Sequence, residues 1–221
     1  METTNYIPAL KYHWLTKLYD PILQLTMPER EMKSTLLKKA NISPGQHILD
    51  FGCGSLTLSL MGKVMYPKTQ FFGVDVDPKI IEIARAKVIK ESQHVQVDLY
   101  DGQTLPYQND SFERVISSLV FHHLTIDQKA QALKEIRRVL KPNGELHICD
   151  FGFPEGKIQR FLFYSIQLLD GFTTTSDNVK GILPTLIEGA GFSGIAEEAV
   201  FKTAFGTIRI IKSIKPTETI L

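Results

Sequence analysis

The segment His47-Ile48-Leu49-Asp50-Phe51-Gly52-Cys53-Gly54-Ser55-Leu56-Thr57-Leu58 carries the clearest structural signal in this chain of 221 residues. An apolar run ends in an acid and in two glycines spaced by one residue, and apolar residues at helical spacing follow at Leu56, Leu60, Met61 and Val64. We predict a buried strand, a tight glycine turn and a helix, the unit that cradles nucleotide-like ligands. Since Gly-x-Gly also occurs in ordinary turns, the rest of the chain has to support this interpretation.

Composition and charge exclude several classes of protein. The formal net charge of +1 provides no chain-wide basic field for a nucleic-acid partner. The two cysteines, Cys53 and Cys149, fall at predicted buried strand ends, which favours a reduced cytoplasmic protein over a disulfide scaffold. The first residues lack an apolar signal core, and no apolar run approaches the ~20 residues of a membrane span. We expect a cytoplasmic monomer or homodimer that acts on a small molecule.

Strand and helix signals alternate along the chain. Beyond the first strand, strands are predicted at 70–75, 94–99, 112–118 and 145–151, and helices at 79–90, 128–140 and 177–190. The helix at 79–90 should bury Ile80, Ile83 and Ala84, and Asp127 should cap the helix at 128–140, which should bury Ala132, Leu133, Ile136 and Val139. Two closing strands at 195–201 and 203–211 should form an antiparallel hairpin. The fold class is therefore α/β: a Rossmann-like, seven-stranded, mostly parallel sheet with helices on both faces.

The two ends of this domain carry additional segments. Residues 1–40 are predicted to form an N-terminal helical cap, which either covers the pocket at the sheet edge or is a packing layer without ligand contact. Residues 41–221 form the Rossmann-like domain, with a lid-like insertion at about 153–176 that is rich in aromatic and branched residues. Such a segment is a lid over an apolar substrate, a dimer contact or ordinary core packing.

An acidic residue ends the second strand. Asp75 lies about twenty residues after the glycines, where a carboxylate can accept hydrogen bonds from both hydroxyls of a ribose. The alternative role, capping the next helix, fits Asp77 better because Pro78 follows it. We therefore expect Asp75 to bind ribose.

Five motifs occur in register along the chain and together resemble the class I S-adenosylmethionine-dependent methyltransferases, in particular their small-molecule and quinone-biosynthesis-like branch. The motifs are Leu49-Asp50-Phe51-Gly52-Cys53-Gly54, Gly73-Val74-Asp75, Asp101 with Leu105-Pro106, the segment 117–124, and Arg138-Val139-Leu140-Lys141-Pro142-Asn143-Gly144. The resemblance covers 41–151 firmly and the C-terminal part more loosely. It implies S-adenosylmethionine as cofactor and S-adenosylhomocysteine as product.

The same resemblance implies which residues hold the methionine part of that cofactor. The loop of Gly52, Cys53 and Gly54 would approach it closely, and Asp50 would orient either the loop or the cofactor's amino group. The backbone of Ser117 and Ser118 would meet the amino-acid end of the cofactor.

The nucleoside part is assigned to other residues by the resemblance. Asp75 would hold the ribose and Val76 would lie against the adenine. Asp101 would accept a hydrogen bond from the adenine amino group, with the Gly102 amide nearby. Tyr19 of the cap would close the pocket.

One position departs from the family. Leu56 stands where the family usually has a third glycine. A leucine there either crowds the cofactor or points into the core; we expect the second, because the other motifs are intact.

Two histidines follow the fourth strand, at the edge of the sheet where open α/β proteins bind ligands. His122 or His123 can act as general base on a hydroxyl acceptor, and Asp150 can orient such a histidine. Alternatively, one or both histidines only bond the backbone or shape the pocket. The other histidines show no ligand spacing, so no metal site is expected.

Three functions remain open from the sequence. The first is methyl transfer to oxygen, nitrogen or carbon of a small molecule, with lipophilic molecules among the candidates. The second is a cofactor-binding member without catalytic activity, which the Leu56 departure would suit. The third, an NAD-dependent oxidoreductase, expects a glycine where Thr57 stands and leaves Asp101 and the closing hairpin unexplained.

Overall fold

The computed structural model describes residues 28–153, 181–203 and 206–217. Its strands are β1 (His47–Phe51), β2 (Gln70–Asp75), β3 (Val95–Leu99), β4 (Phe112–Ser118), β5 (Leu140–Gly152), β6 (Ser193–Thr203) and β7 (Gly206–Ile214). Its helices are α1 (Glu29–Lys39), α2 (Thr57–Met65), α3 (Pro78–Lys90), α4 (Ile126–Val139) and α5 (Leu183–Gly189), with a 3₁₀ turn at Phe121–His123. Predicted segments before residue 28 and at 154–180, which include most of the cap and of the lid-like insertion, lie outside the described residues.

The strands form one seven-stranded sheet in the order β3-β2-β1-β4-β5-β7-β6. The first five strands pair in parallel, while β7 runs antiparallel to both β5 and β6. The predicted fold class, including the closing hairpin, is confirmed. Since the chain runs outward from β1 to β3 and then returns to place β4 beside β1, the order reverses between β1 and β4. Open α/β sheets bind their ligands at such a switch point, beyond the carboxyl ends of the strands.

Two apolar layers cover the sheet. One layer contains the inner faces of α1, α2 and α3, and the other contains those of α4 and α5. Neighbouring residues of β1 serve opposite layers, Ile48 the first and Leu49 the second, as the two-residue period of a strand requires. Both central residues are fully buried, so β1 lies in the middle of the protein and its carboxyl end is held rigidly.

The helical faces agree with the sequence only in part. The predicted face of α4 is confirmed, but in α3 the buried residues are Ile81 and Ala84, whereas Ile83 is 53% exposed. Because Ile80, Ile81 and Ile83 are all apolar, the pattern allowed two faces, and contact with the sheet selects one. The stripe predicted for α2 was also wrong at its end, since Val64 is 72% exposed.

The start of α4 differs from the prediction. Thr125, not Asp127, is the capping residue: its Oγ1 accepts a hydrogen bond from the Gln128 N–H at 3.3 Å, and the Gln128 side chain accepts one from the Thr125 N–H at 2.9 Å. This reciprocal pair satisfies two N–H groups that the helix leaves open. Asp127 lies in the first turn, where a negative charge interacts favourably with the helix dipole.

Described helices of the chain offer no candidate membrane span, because none combines sufficient length with sufficient apolarity.

Candidate active site

A cavity of about 600 Å³ opens at the carboxyl ends of β1, β2 and β4. Its walls come from α1, from the glycine loop, from the residues after β2 and β3, and from the segment between β4 and α4. This volume lies within the range of small-molecule sites, and the position is the switch point of the sheet. The cavity is therefore the candidate active site.

The glycine loop forms the floor of the cavity. The N–H groups of Gly52 and Cys53 both donate to the Val74 carbonyl, at 2.9 and 3.0 Å, and fold the loop onto β2. Gly52 has a φ of +70°, and a Cβ there would stand 2.4 Å from Cγ2 of Val120. Gly54 has a φ of +52°, but a Cβ there would meet no atom within 4 Å. Gly52 is thus required for packing, whereas Gly54 leaves open space on the ligand side.

Asp75 lies in the cavity wall and also holds the loop. Its Oδ2 accepts a hydrogen bond from the Gly54 N–H at 2.9 Å, and its Oδ1 accepts one from the Asp77 N–H at 3.1 Å. The helix cap belongs to Asp77, as expected, because its Oδ1 accepts from the Lys79 N–H at 2.8 Å. The ribose role of Asp75 stays a prediction that its position in the cavity wall permits.

Unlike Asp75, the predicted adenine contact Asp101 does not line the cavity. Gly102, with a φ of +83°, lines the cavity, but Asp101 is exposed and is absent from the lining. Asp101 Oδ1 accepts hydrogen bonds from the N–H groups of Thr104 and Gln103, both at 2.8 Å, and these bonds lower the pKa of the carboxyl. The structure therefore brings the Gly102 backbone to the cavity and uses one oxygen of Asp101 in its own turn.

A network of hydrogen bonds and one ion pair holds the segment that follows Gly102 in place. Arg138 of α4 donates to the Leu105 carbonyl at 3.0 Å and to the Tyr107 carbonyl at 2.8 Å. Glu135 accepts from the Leu105 N–H at 2.8 Å and pairs with Arg138 at 2.7 Å. Two of the recognised sequence motifs, at Leu105-Pro106 and at Arg138, are thus in direct contact.

Asp50 is buried beneath the loop and does not line the cavity. Its Oδ2 accepts a hydrogen bond from the Ser59 hydroxyl at 2.7 Å, and burial raises the pKa of its carboxyl to about 6. Since Ser59 lies in α2, this bond joins the end of β1 to the helix that follows the glycine loop. Of the two predicted roles, this position fits orientation of the loop.

The remaining predicted contacts are divided. Cys53 and Ser118 line the cavity, and Val76, which is 42% exposed, does so beside them. Burial raises the pKa of the Cys53 thiol, so it is neutral. Ser117 is fully buried and its hydroxyl donates to the Phe51 carbonyl at 2.9 Å. Tyr19 lies outside the described residues.

Leu56 points away from the cavity. It adopts a φ of +67° and is fully buried, and its Cδ1 lies 2.5 Å from the place where a Cβ on Gly73 would stand. The glycine in β2 therefore accommodates the leucine that replaces the third glycine of the loop. The expectation that Leu56 points into the core is confirmed.

His122 and Asp150 form a buried pair beside the cavity. Nδ1 of His122 lies 2.8 Å from Asp150 Oδ1, and since a carboxylate only accepts, this nitrogen carries the proton. The same carboxylate accepts from the backbone N–H groups of Val120 at 3.0 Å and Phe151 at 2.7 Å. Burial alone would raise the pKa of Asp150, but the charge and hydrogen bond of His122 and the Phe151 N–H outweigh it and hold the pKa below its usual value.

His123 lies on the cavity side of this pair. Its ring centroid is 3.8 Å from that of His122, and His123 lines the cavity, whereas His122 does not. His123 is exposed to the cavity, but desolvation by the protein atoms around its ring and the neighbouring His122 lower its pKa, so the ring is neutral near pH 7 and is a weaker base than an ordinary histidine. The structure therefore brings the three predicted residues together, with His123 as the member that can touch a ligand.

Comparisons with known proteins agree with this geometry. Residues 48–144 match the family model described as a methyltransferase domain. The chain is 38% identical over 112 residues to the uncharacterized methyltransferase YodH of Bacillus subtilis, which covers 50% of this chain and 46% of that protein. It is 30% identical over 143 residues to the ubiquinone/menaquinone biosynthesis C-methyltransferase UbiE of Laribacter hongkongensis, which covers 63% of this chain and 58% of the relative.

A solved structure extends the comparison to the fold. Phosphoethanolamine N-methyltransferase 2 of Haemonchus contortus, in complex with S-adenosyl-L-methionine, matches with a TM-score of 0.69 at 18% identity and covers 85% of this chain and 53% of that one. The predicted resemblance to class I S-adenosylmethionine-dependent methyltransferases is confirmed. The chain spans between about a third and three fifths of the length of curated relatives that it matches, at 35%, 46% and 58% for three of them.

Several residues that line the cavity were not predicted from the sequence. Glu29 and Lys33 of α1 line it, as does Gln128 of α4. The four-residue spacing of Glu29 and Lys33 was visible as a helical ion pair, but which helix face meets the cavity depends on tertiary packing. Among the described residues, no cluster of three or more His, Cys, Asp or Glu side chains could hold a metal ion.

Proposed function

We propose that this protein transfers a methyl group from S-adenosylmethionine to an oxygen, nitrogen or carbon atom of a small molecule. The observation that carries the proposal is the single cavity wall in which the glycine loop, Asp75, Gly102 and His123 meet. The methyltransferase domain match and the names of the relatives support the reaction class. The solved Haemonchus contortus relative contains S-adenosyl-L-methionine, which supports the choice of cofactor.

The residues present fit that cofactor. Gly54 leaves open the space that a Cβ would enter, so a ligand can approach the loop backbone. Asp75 already accepts two hydrogen bonds, but a carboxylate offers about four acceptor positions, so it can also accept from ribose hydroxyls. Val76 offers an apolar surface to the adenine, and Gly102 offers a backbone amide. Asp101 can take part only with the oxygen that its own turn leaves available.

The chemistry required of the chain is mainly alignment. S-adenosylmethionine supplies a methyl group on a positively charged sulfur, and the S–C bond breaks, with its electrons passing to sulfur, as the new bond to the acceptor forms. The protein must hold the acceptor atom in line with that bond and exclude water, which is catalysis by proximity. The enclosing walls from α1 and from the segment between β4 and α4 serve this purpose.

A hydroxyl acceptor also has to lose a proton, and His123 is the group that can take it. Its ring is neutral and lines the cavity, so a ring nitrogen can accept this proton, although the lowered pKa makes His123 a weaker base than an ordinary histidine. His122 and Asp150 do not line the cavity and act as positioning residues, because the buried pair fixes the ring against which His123 packs. For an amine acceptor that is already neutral, His123 would only shape the pocket.

The cavity favours an acceptor with an apolar part. Leu119, Val120, Leu124 and Ala132 line the side next to His123, and their burial against a ligand would contribute about 25 cal/mol per Å². Since the relative from Laribacter hongkongensis is named a ubiquinone/menaquinone biosynthesis C-methyltransferase, a short-chain quinol is the first acceptor to test.

Binding and transfer can be measured separately. We expect calorimetry to show binding of both S-adenosylmethionine and S-adenosylhomocysteine, and methyl-labelled cofactor to transfer its label to a member of a panel of quinols, phenols and amines. Absence of heat with either ligand at high protein concentration would contradict the proposal. Binding without transfer to any acceptor would favour a non-catalytic member, although Leu56, which pointed to that function, does not enter the cavity. Nicotinamide fluorescence on mixing with NADH would revive the oxidoreductase.

A further inference from the structure

The charges around the cavity are unevenly distributed. Among the described residues that line it, Glu29, Asp75 and Asp77 are acids, and Lys33 is the one permanently charged base. Lys33 Nζ lies 2.5 Å from Glu29 Oε1, and the side chains are 13% and 50% exposed, respectively. An ammonium has three N–H donors, and Glu29 is the one hydrogen-bond acceptor that the described part of the chain gives it. A mostly buried cation with spare donors in a cavity wall points to an anionic group on the ligand.

The position of Lys33 identifies which end of a ligand it would meet. Helix α1 packs against β4 and β5 and against α2, on the opposite side of the glycine loop from β3. Burial raises the pKa of Asp50, at the end of β1, and of Cys149 of β5, and the charge of Lys33 acts on both groups in the opposite direction. Asp75 and Gly102, in contrast, belong to the ends of β2 and β3. A nucleoside held at Asp75 and Gly102 would therefore extend its other end over the glycine loop towards Lys33.

The other end of S-adenosylmethionine is a zwitterion, with a carboxylate and an ammonium on the same carbon. A lysine and a glutamate one helical turn apart present the complementary pair of charges. We propose that Lys33 binds the α-carboxylate of the cofactor and that Glu29 accepts hydrogen bonds from its α-ammonium. This assignment rests on the proposed function and adds a side-chain contact to the backbone contacts expected at the amino-acid end.

Three nucleosides separate the contributions. S-adenosylhomocysteine carries both charges, its decarboxylated analogue keeps only the ammonium, and methylthioadenosine lacks the amino acid entirely. In calorimetry, Lys33→Met should weaken S-adenosylhomocysteine by about tenfold or more, as expected for loss of a charged hydrogen bond. The same substitution should leave the affinities for the other two ligands within about twofold of the wild-type values. Glu29→Gln should weaken the two ligands that carry the ammonium and leave methylthioadenosine unchanged.

A matched control removes an equivalent charge from the same helix. Lys38 is exposed on α1 and does not line the cavity, so Lys38→Met should bind all three ligands as the wild type does. Equal weakening of methylthioadenosine by Lys33→Met, or undiminished binding of S-adenosylhomocysteine, would overturn this assignment alone. Failure of the wild-type protein to bind any of the three nucleosides would overturn the proposed function and this assignment with it.

Discussion

The N–H of Gly54 donates a hydrogen bond to Oδ2 of Asp75 at 2.9 Å, across 21 residues of sequence. The acid that ends β2 therefore fixes the glycine loop that follows β1, and the two elements that should contact the ligand share one bond. Because Oδ1 is engaged with the Asp77 N–H, the carboxylate is held in a single orientation. This arrangement reduces the ordering that a ligand has to impose when it binds.

Removal of this carboxylate should impair both the loop and the ribose contact. We expect Asp75→Ala to weaken S-adenosylhomocysteine by about tenfold or more, since each ~1.4 kcal/mol corresponds to a factor of ten. Adenosine should lose affinity as well, because it retains the ribose. Titration calorimetry measures both, with Glu82→Ala on the exposed face of α3 as the matched removal of an acid. Unaltered adenosine affinity in Asp75→Ala would contradict the ribose role.

Substitution of His123, the proposed general base, should affect turnover and cofactor affinity differently. His123→Ala is expected to lower the rate with a hydroxyl acceptor about 100-fold or more, the usual contribution of general-base catalysis. Affinity for S-adenosylhomocysteine should stay within about twofold, because the glycine loop and Asp75 are untouched. Initial rates at saturating cofactor and calorimetry provide the two readouts, and His94→Ala, at an exposed position far along the sheet, is the control. A parallel fall in rate and affinity would mean that His123 supports the pocket instead.

The two loop glycines should respond differently to the same substitution. Gly52→Ala places a methyl group 2.4 Å from Val120 Cγ2 in addition to its φ of +70°, so it should lower the free energy of unfolding by several kcal/mol. Gly54→Ala meets only the backbone cost at a φ of +52°, about 1 kcal/mol. Its methyl group faces the ligand side, so cofactor affinity should fall more than stability does. Urea unfolding and calorimetry on both variants check this, and equal stability losses would refute the packing role of Gly52.

The buried carboxyl of Asp50 should make stability depend on pH. Its pKa is raised from 3.8 to about 6 by burial, so between these values the folded protein binds more protons than the unfolded chain. Stability contributed by the protonated form is therefore present at pH 4 and is lost as the pH rises through 6. Asp50→Asn retains an oxygen for the Ser59 hydroxyl and does not titrate.

The comparison of wild type with Asp50→Asn isolates this effect. The difference in free energy of unfolding between the two proteins should shift by about 2 kcal/mol between pH 4 and pH 7, since one unit of pKa shift corresponds to about 1.4 kcal/mol. The shift should favour the asparagine variant at the higher pH. Urea titrations across this range measure it, and a difference that is independent of pH would show that Asp50 is not buried as a carboxyl.

The central sheet could be predicted closely from the sequence. The bounds of β2 and β4 agree with prediction at every residue, because turn-forming residues come shortly before each strand. The glycine loop was predictable because two glycines after a buried strand permit the tight turn with positive φ that other residues disfavour. The hydrogen-bond partners of side chains were harder to predict. Asp101 could accept hydrogen bonds either from a ligand or from its own turn, and the local sequence does not distinguish the two. The contribution of α1 depends on how that helix packs, which its own sequence does not state.

The hydrogen bonds from Arg138 to the Leu105 and Tyr107 carbonyls affect the entropy of ligand binding as well as the shape of the cavity. The segment that follows Gly102 of the cavity wall is immobilised when the polypeptide folds, so the entropy of that immobilisation is not lost again when a ligand binds. A cofactor that must be exchanged for its product after every turnover benefits from such a preset surface, because it can enter and leave without the surrounding chain having to melt and reform.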